Sequence, residues 1–319
     1  MGSPVVGAIC GSAAALAMQL LPVAALAQQS PALAPNAVAP PAPPPIYSAP
    51  FQLRPAVAGN IVRIDNSLML ADSGLGHATT ITVAYKVWDE LAPLARLGLM
   101  TASPDDPMAE GGVAFVNPLL GALYTPKLGS MLRVAPFVAI GLPWLSGGGG
   151  DSPSAGAALA TQLGNQSRNM FEGAMALVNY LPIVTGCDVA LIHAGVTLQA
   201  SVTVIQYLQA RGPETTPTGT DVPGYLLNSF WMLFAGYAIV PMLSVGLEAR
   251  HQQWLHHDGI ATDAPNRNQT SIGGGVRLRV KLDDAHTIPI GLAYSRGVDD
   301  PLGAAHASNL WLDVAFTWR

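Results

Sequence analysis

The chain has 319 residues and a formal charge of −5, from 15 Lys and Arg against 20 Asp and Glu. Half of the residues are hydrophobic and only 11% are charged, which is less than half the charged share of an ordinary soluble domain. This composition excludes an intrinsically disordered chain, and the acidic balance without a basic cluster argues against nucleic acid as a partner.

The mean hydropathy is +0.34, yet past residue 30 no apolar run reaches the roughly 18 residues that a membrane helix requires. A transmembrane β-barrel resolves this conflict, because apolar side chains alternate with small or polar ones along each of its strands. We therefore predict an all-β, antiparallel up-and-down barrel.

Residues 1–27 have the pattern of an export signal. They contain a long apolar core and end in Ala25-Leu26-Ala27, which places small residues at positions −3 and −1 of a cleavage site. An uncleaved membrane anchor is the alternative, and the polar, proline-rich stretch that follows favours cleavage. The sequence thus predicts export through the periplasm, after which Cys187 is the one remaining cysteine.

Residues 28–56 are predicted to form a periplasmic linker outside the barrel, and residues 57–319 to form the barrel itself. Proline occurs eight times between residues 30 and 50. Closely spaced prolines favour an extended polyproline conformation rather than part of a core.

Twelve segments of the chain carry apolar residues at every second position, opposite small or polar residues. The seventh and ninth are the clearest, and the fourth and sixth are weak. An even number is what closure with both termini at one end requires. In chain order the segments are 62–70, 80–87, 93–100, 113–125, 132–140, 183–193, 196–204, 227–237, 243–250, 271–281, 288–294 and 309–318.

A soluble antiparallel sandwich would alternate in the same way. Such a sandwich exposes its polar face and fills it with Lys and Glu, whereas here that face is mostly Gly, Ala, Ser and Thr, which suit a confined lumen. The connections also alternate between short and long, as the periplasmic turns and extracellular loops of an outer-membrane barrel do.

Isolated charges on the predicted inward faces are the candidate lumen residues. In a narrow barrel they would pair across the lumen, since an unpaired charge in a low-dielectric interior is costly. Unpaired arginines would instead line a path that attracts anions. The predicted lumen-lining charges are Arg63, Asp65, Arg96, Arg133, Glu248, Arg250, Arg277, Arg279 and Asp313.

The segment 154–180 follows four glycines in a long loop, and its apolar residues recur every three to four positions. This period predicts a helix, which could fold into the barrel mouth and constrict it. The alternatives are a surface helix without a role, or two further strands that would give fourteen. The candidate constriction residues are Leu163, Met170, Phe171 and Met175.

The last predicted strand resembles the C-terminal assembly signal of bacterial outer-membrane proteins, an amphipathic strand that ends in an aromatic residue. Leu312, Val314, Phe316 and Trp318 carry the resemblance, and Arg319 follows the aromatic as a departure from the pattern. The resemblance implies a location in the bacterial outer membrane, with its lipid and the barrel-assembly machinery as partners.

A second, narrower resemblance rests on Asn117-Pro118, Gly121-Ala122-Leu123-Tyr124 and the segment 239–250. These are similar to outer-membrane transporters of the type associated with the MetA pathway of phenol degradation. The resemblance implies a channel for the passive passage of a small organic solute. A structural or adhesive barrel without transport is the alternative function.

No phosphate loop, dinucleotide fingerprint, zinc-ligand pair or nucleophile elbow occurs in the sequence, so we predict no enzyme, no cofactor and no metal. Two weak candidates remain. His306 and Ser308 resemble the neighbouring His and Ser of outer-membrane phospholipases, and His256-His257-Asp258 could bind a metal ion. A solvated loop is the favoured interpretation of the second group.

Overall fold

The structure is a computed structural model that describes residues 47–51, 59–126, 128–129, 131–144, 154–169, 172–213, 222–257, 264 and 267–318. The predicted export signal and residues 28–46 of the predicted linker lie outside these ranges. No helix within them is long and apolar enough to cross a bilayer. The helices are α1 (Ala155–Ser167) and α2 (Gly173–Ala176). The strands are β1 (Asn60–Ala71), β2 (Gly74–Ala84), β3 (Leu91–Pro104), β4 (Gly112–Tyr124), β5 (Leu132–Gly141), β6 (Tyr180–His193), β7 (Val196–Gln209), β8 (Tyr225–Val240), β9 (Leu243–His256), β10 (Asn268–Lys281), β11 (His286–Gly297) and β12 (Ser308–Trp318).

The twelve strands form one closed antiparallel barrel in which each strand pairs with its neighbours in sequence and β1 pairs with β12. The closing register places Asn60 opposite Trp318, so β1 begins where β12 ends. The predicted twelve-stranded barrel is confirmed. The fourteen-strand alternative is wrong, because its extra strands would fall in a segment that is helical here.

The two ends of the barrel differ in their connections. We call the end where β1 begins and β12 ends the turn end, and the opposite end the loop end. At the turn end, Ala194-Gly195 joins β6 to β7 and Pro241-Met242 joins β8 to β9. At the loop end, residues 142–179 join β5 to β6 and contain both helices.

The outward face of the wall is apolar. On β1, Val62 and Ile64 are exposed, whereas Arg63 and Asp65 beside them are buried inside the barrel. Alternation on a pleated strand produces this division directly. An apolar outer belt with aromatic residues near its ends is the surface that a bilayer requires. Exposed outward residues of the last strand include Leu312, Val314 and Phe316, and exposed aromatics near the strand ends include Tyr85, Trp88, Tyr124, Tyr237 and Tyr294.

Helix α1 lies inside the barrel at the loop end, against β1–β4. It begins after Ser154, whose Oγ accepts a hydrogen bond from the Ala157 amide at 3.4 Å and so caps the helix. Glycine on the wall allows the close approach: a Cβ on Gly76 would lie 2.5 Å from the carbonyl oxygen of Leu163. The predicted helix in this loop is therefore present and is packed into the barrel mouth.

Residues 47–51, which we call the N-terminal segment, lie inside the barrel in its turn-end half. Phe51 is only 3% exposed and packs with Met232, Phe234 and Trp311. This packing explains why β8 carries apolar residues on both faces, because its inward side chains cover the segment. Residues 28–56 were predicted to lie outside the barrel, whereas residues 47–51, the described part of that range, lie inside it.

Candidate solute site in the barrel lumen

A cluster of ion pairs occupies the lumen near the middle of the barrel wall. Both guanidinium Nη atoms of Arg277 bond to the Asp313 carboxylate, at 2.7 and 2.9 Å. Arg63 bonds to Asp65 at 2.6 Å, and its Nε lies 3.6 Å from Asp313. All four side chains are less than 10% exposed. These buried charges pair, but they do so within a strand or between strands with at most one strand between them, and not across the lumen as predicted.

A second group of ion pairs joins the wall to the loop. Arg96 of β3 bonds to Glu172 at 2.8 Å, and Arg168 bonds to the same Glu172 oxygen at 2.9 Å. Although burial favours the neutral acid, the two guanidinium groups hold the pKa of the Glu172 carboxyl below its usual range. A separate ion pair, between Arg250 and Glu248, lies within strand β9 of the wall. The Arg168 guanidinium also lies over the Trp311 ring, 4.2 Å from its centroid.

Most of the charges predicted to line the lumen meet in these two groups. Arg279 also faces inward, but its Nη2 donates to the main-chain oxygen of Tyr47 at 2.8 Å. Arg133 lies at the rim of the turn end, where it donates to the main-chain oxygens of Gly129 and Leu132. Arg168 and Glu172 were not among the predicted lumen charges. Their i, i+4 spacing in the loop was the available signal.

Most hydrogen bonds of the N-terminal segment are made by its main chain, and the Tyr47 hydroxyl adds one to Gln199 Oε1 at 2.8 Å. Arg63, Arg277 and Arg279 donate to the carbonyl oxygens of Phe51, Pro50 and Tyr47. The Phe51 amide donates to Glu248, and the Ser48 amide donates to Thr197 Oγ1 at 3.0 Å. The segment therefore fills part of the lumen and meets inward residues from β1, β7, β9 and β10.

The Phe51 ring occupies an apolar niche beside these arginines, formed by Met232, Phe234, Ala293 and Trp311. Its centroid lies 6.3 Å from that of Phe234, in an edge-to-face arrangement. The Arg277 guanidinium carbon lies 5.3 Å from the Phe51 centroid. The niche thus combines aromatic contacts with an adjacent positive charge.

The loop that follows α1 is fixed across the lumen by Asn169. This residue is fully buried and has a left-handed φ of 50°, a conformation that Asn tolerates better than most residues. Its side chain donates to Ser295 Oγ at 3.0 Å and accepts from Asn309 at 2.6 Å. Gln269 donates to its main-chain oxygen at 3.2 Å. The loop is therefore attached to β10, β11 and β12, which follow β1 in the closed ring and are not among the strands that α1 packs against.

Two of the four candidate constriction residues can be placed. Leu163 packs with Met69 and Ala102 on the β1–β4 side, and Met175 packs with Met100 and Val116. Both side chains are buried against the wall rather than presented to an open passage. Met170 and Phe171 lie outside the described residues.

The weaker candidates have other partners. His306 Nδ1 lies 2.8 Å from Asp72, whereas Ser308 Oγ accepts from the Tyr294 hydroxyl at 3.0 Å. The rings of His256 and His257 pack against Tyr225 and Trp254, and Asp258 lies outside the described residues. In the described part of the chain, no three His, Cys, Asp or Glu side chains lie together as a metal site would require.

A scan against protein-family models and a search of curated proteins each found no match. Among solved structures, an outer membrane channel from Pseudomonas putida F1 is similar over 86% of this chain and 100% of its own, with a TM-score of 0.51 and 12% identity. The NanC porin covers 81% of this chain and 99% of its own, with a TM-score of 0.48 and 9% identity. The KdgM porin covers 81% of this chain and 100% of its own, with a TM-score of 0.42 and 10% identity. The likeness to the Pseudomonas channel shows that the fold is one that outer-membrane channels use.

Proposed function

We propose that this protein is an outer-membrane channel for the passive passage of small organic solutes, closed at rest by its own N-terminal segment and loop. The observation that carries the proposal is that segments outside the barrel wall occupy the lumen. Much of that filling comes from residues 47–51 and from α1 with the residues after it, which are not part of the wall. Because the wall is a complete ring of paired strands, these segments can leave without breaking any strand pair.

The location in the outer membrane follows from the same architecture. The apolar outer belt is suited to lipid, and the outward residues of β12 are those of the predicted assembly signal. Membrane lipid and the barrel-assembly machinery are therefore proposed as partners. We assign no catalytic role, because His306 and Ser308 bond to different residues at the loop end.

Conductance across planar bilayers tests the channel. We compare the full chain with a variant that lacks residues 28–51 and with a variant that lacks residues 152–176. Removal of either segment is expected to raise single-channel conductance, and removal of both to raise it further. A folded barrel that stays at the lipid baseline in both single deletions and in the double deletion would contradict the proposal.

A structural barrel without transport is the second candidate. It is favoured by the pairing of charges inside the lumen, above all the bidentate contact of Arg277 on β10 with Asp313 on β12, with only β11 between them. Such buried, paired charges could serve as a permanent plug. The same conductance series separates the two functions, since a permanent plug predicts no change when the N-terminal segment is removed.

A further inference from the structure

We infer that the site held by the N-terminal segment is a binding site for aryl-alkanoate anions, whose aromatic ring takes the niche of Phe51 and whose carboxylate takes the place of its carbonyl. This inference rests on the proposed channel, because a solute reaches the niche only when the segment leaves. It names the solute class of that channel.

The charge balance around the niche calls for one anion. Arg63, Arg277 and Arg279 bring three positive charges, and Asp65 and Asp313 bring two negative ones. Among the described residues, no carboxylate contacts the Arg279 guanidinium. Glu248 accepts from the Phe51 amide, and its charge is balanced by Arg250. The neutral carbonyl groups of the segment leave this single positive excess in place. A monoanion would neutralise it.

The hydrogen-bond donors around the niche suit a carboxylate. Arg63 directs one Nη2 group at the Phe51 carbonyl oxygen, and Arg277 directs one at the carbonyl oxygen of the preceding Pro50. Both keep their own carboxylate partners. When the segment leaves, these two donors lose their acceptors inside a confined lumen. Guanidinium groups bind carboxylate oxygens more strongly than neutral carbonyl oxygens. A carboxylate is therefore the better occupant.

Phe51 itself defines the spacing of the ligand. Its ring, Cβ, Cα and carbonyl carbon are the carbon skeleton of 3-phenylpropanoate. The ring lies edge-to-face with Phe234 and next to the Arg277 guanidinium, two contacts that an aliphatic ring cannot reproduce. The segment thus occupies the site as a tethered, uncharged analogue of an aryl-alkanoate.

Equilibrium binding of 3-phenylpropanoate to the purified protein in detergent tests the inference, with 3-phenylpropan-1-ol and 3-cyclohexylpropanoate as comparison ligands. Phe51→Ala weakens docking of the segment and empties the niche, so affinity should rise about tenfold over the unmutated chain. In that background, Arg279→Gln should reduce affinity for the acid and leave the alcohol unaffected. Arg133→Gln, at the turn-end rim, is the matched control and should change neither.

A disulfide lock provides a test that leaves Phe51 intact. Ser48 and Thr197 are in contact through the Ser48 amide, so both become cysteine in a chain whose Cys10 and Cys187 are replaced by Ala. Oxidation should abolish binding and reductant should restore it. Folding of each variant is checked by its heat-dependent gel shift.

Any of three results would overturn the inference. The first is an affinity for 3-phenylpropanoate in Phe51→Ala equal to that of the unmutated chain, and the second is equal binding of the acid and the alcohol. The third is binding of 3-phenylpropanoate that does not change when the engineered disulfide is oxidised. Conductance measurements distinguish failure of the proposed solute class from failure of the proposed channel function. A protein that conducts but does not bind 3-phenylpropanoate refutes the solute class alone, whereas one that binds it and never conducts refutes the channel alone.

Discussion

Asn309 of β12 donates from Nδ2 to Oδ1 of Asn169 at 2.6 Å, although the two residues are 140 positions apart in the chain. Both side chains are fully buried. The contact joins the loop, just after α1, to strand β12 of the barrel wall. Loss of this hydrogen bond would therefore loosen the loop while the strand pairing of the wall stays intact.

Asn309→Ala is expected to loosen the loop. The substitution removes the hydrogen bond that Asn309 donates to Oδ1 of Asn169, and such a bond is worth about 1 kcal/mol. Single-channel recordings should show more frequent openings, and protease should cut the loop faster. Asn268→Ala is the control, because Asn268 is exposed at the loop end of β10 and should change neither rate.

Acid should release the loop through Glu172. A carboxyl whose pKa is lowered in the folded state contributes stability above its unfolded pKa of about 4.3 and loses it as pH falls through the folded value. The charged groups that act on Glu172 are Arg96 and Arg168, which favour its ionised form, and Asp65, which opposes it. Conductance measured from pH 7 to pH 3 should therefore rise below about pH 4.

Glu172→Gln isolates this effect from the titration of other carboxylates. The amide cannot ionise, so the variant should conduct at pH 7 as the unmutated chain does in acid, and should respond less to further acid. The same steep acid response in both proteins would assign the effect to another group.

Gly236→Ala is expected to displace the N-terminal segment. A Cβ at this position would lie 2.5 Å from Cζ of Phe234 and 2.8 Å from Cβ of Ser48, so one of them must move. Overpacking of this kind costs about 1–3 kcal/mol. Single-channel conductance should increase. Gly224→Ala adds a Cβ in open space and should have no effect.

Asp313→Ala should destabilise the barrel strongly. Its carboxylate holds Arg277 with two hydrogen bonds and lies near Arg63, so its loss leaves buried cations without their acceptor, at about 3–5 kcal/mol. The free energy of unfolding in urea measures the effect. Asp284→Ala removes an exposed ion pair with Lys281, and a loss below about 1 kcal/mol is expected there.

Phe316→Ser tests the predicted assembly signal. Phe316 faces outward and stacks with Trp318, so the loss should reduce barrel assembly in cells. Phe115→Ser removes an equally outward aromatic from β4 and serves as the control. A signal role predicts that only Phe316→Ser lowers assembly in cells, while both variants refold alike in detergent. Equal losses in cells would indicate a general effect of outward aromatic residues.

The wall of the barrel was predictable because its signal is local. Val62 and Arg63 point to opposite sides through the backbone pleat alone, so the strand count, the outward belt and the inward charges can be read from neighbouring residues. The helix in the 154–180 segment was predictable for the same reason, from its own period. The strand ends were less well placed: β3 runs from Leu91 to Pro104, beyond the predicted 93–100.

The contents of the lumen were not predictable in this way. Nothing near Phe51 in sequence indicates that Arg63, Glu248 and Arg277 will surround its main chain, and the prolines before it favour an exposed linker.

The sequence alone therefore determined a closed, membrane-suited wall with an arginine-rich interior. The tertiary structure decided that this interior is occupied by the chain itself, because contacts across a lumen join residues that only the closed ring brings together.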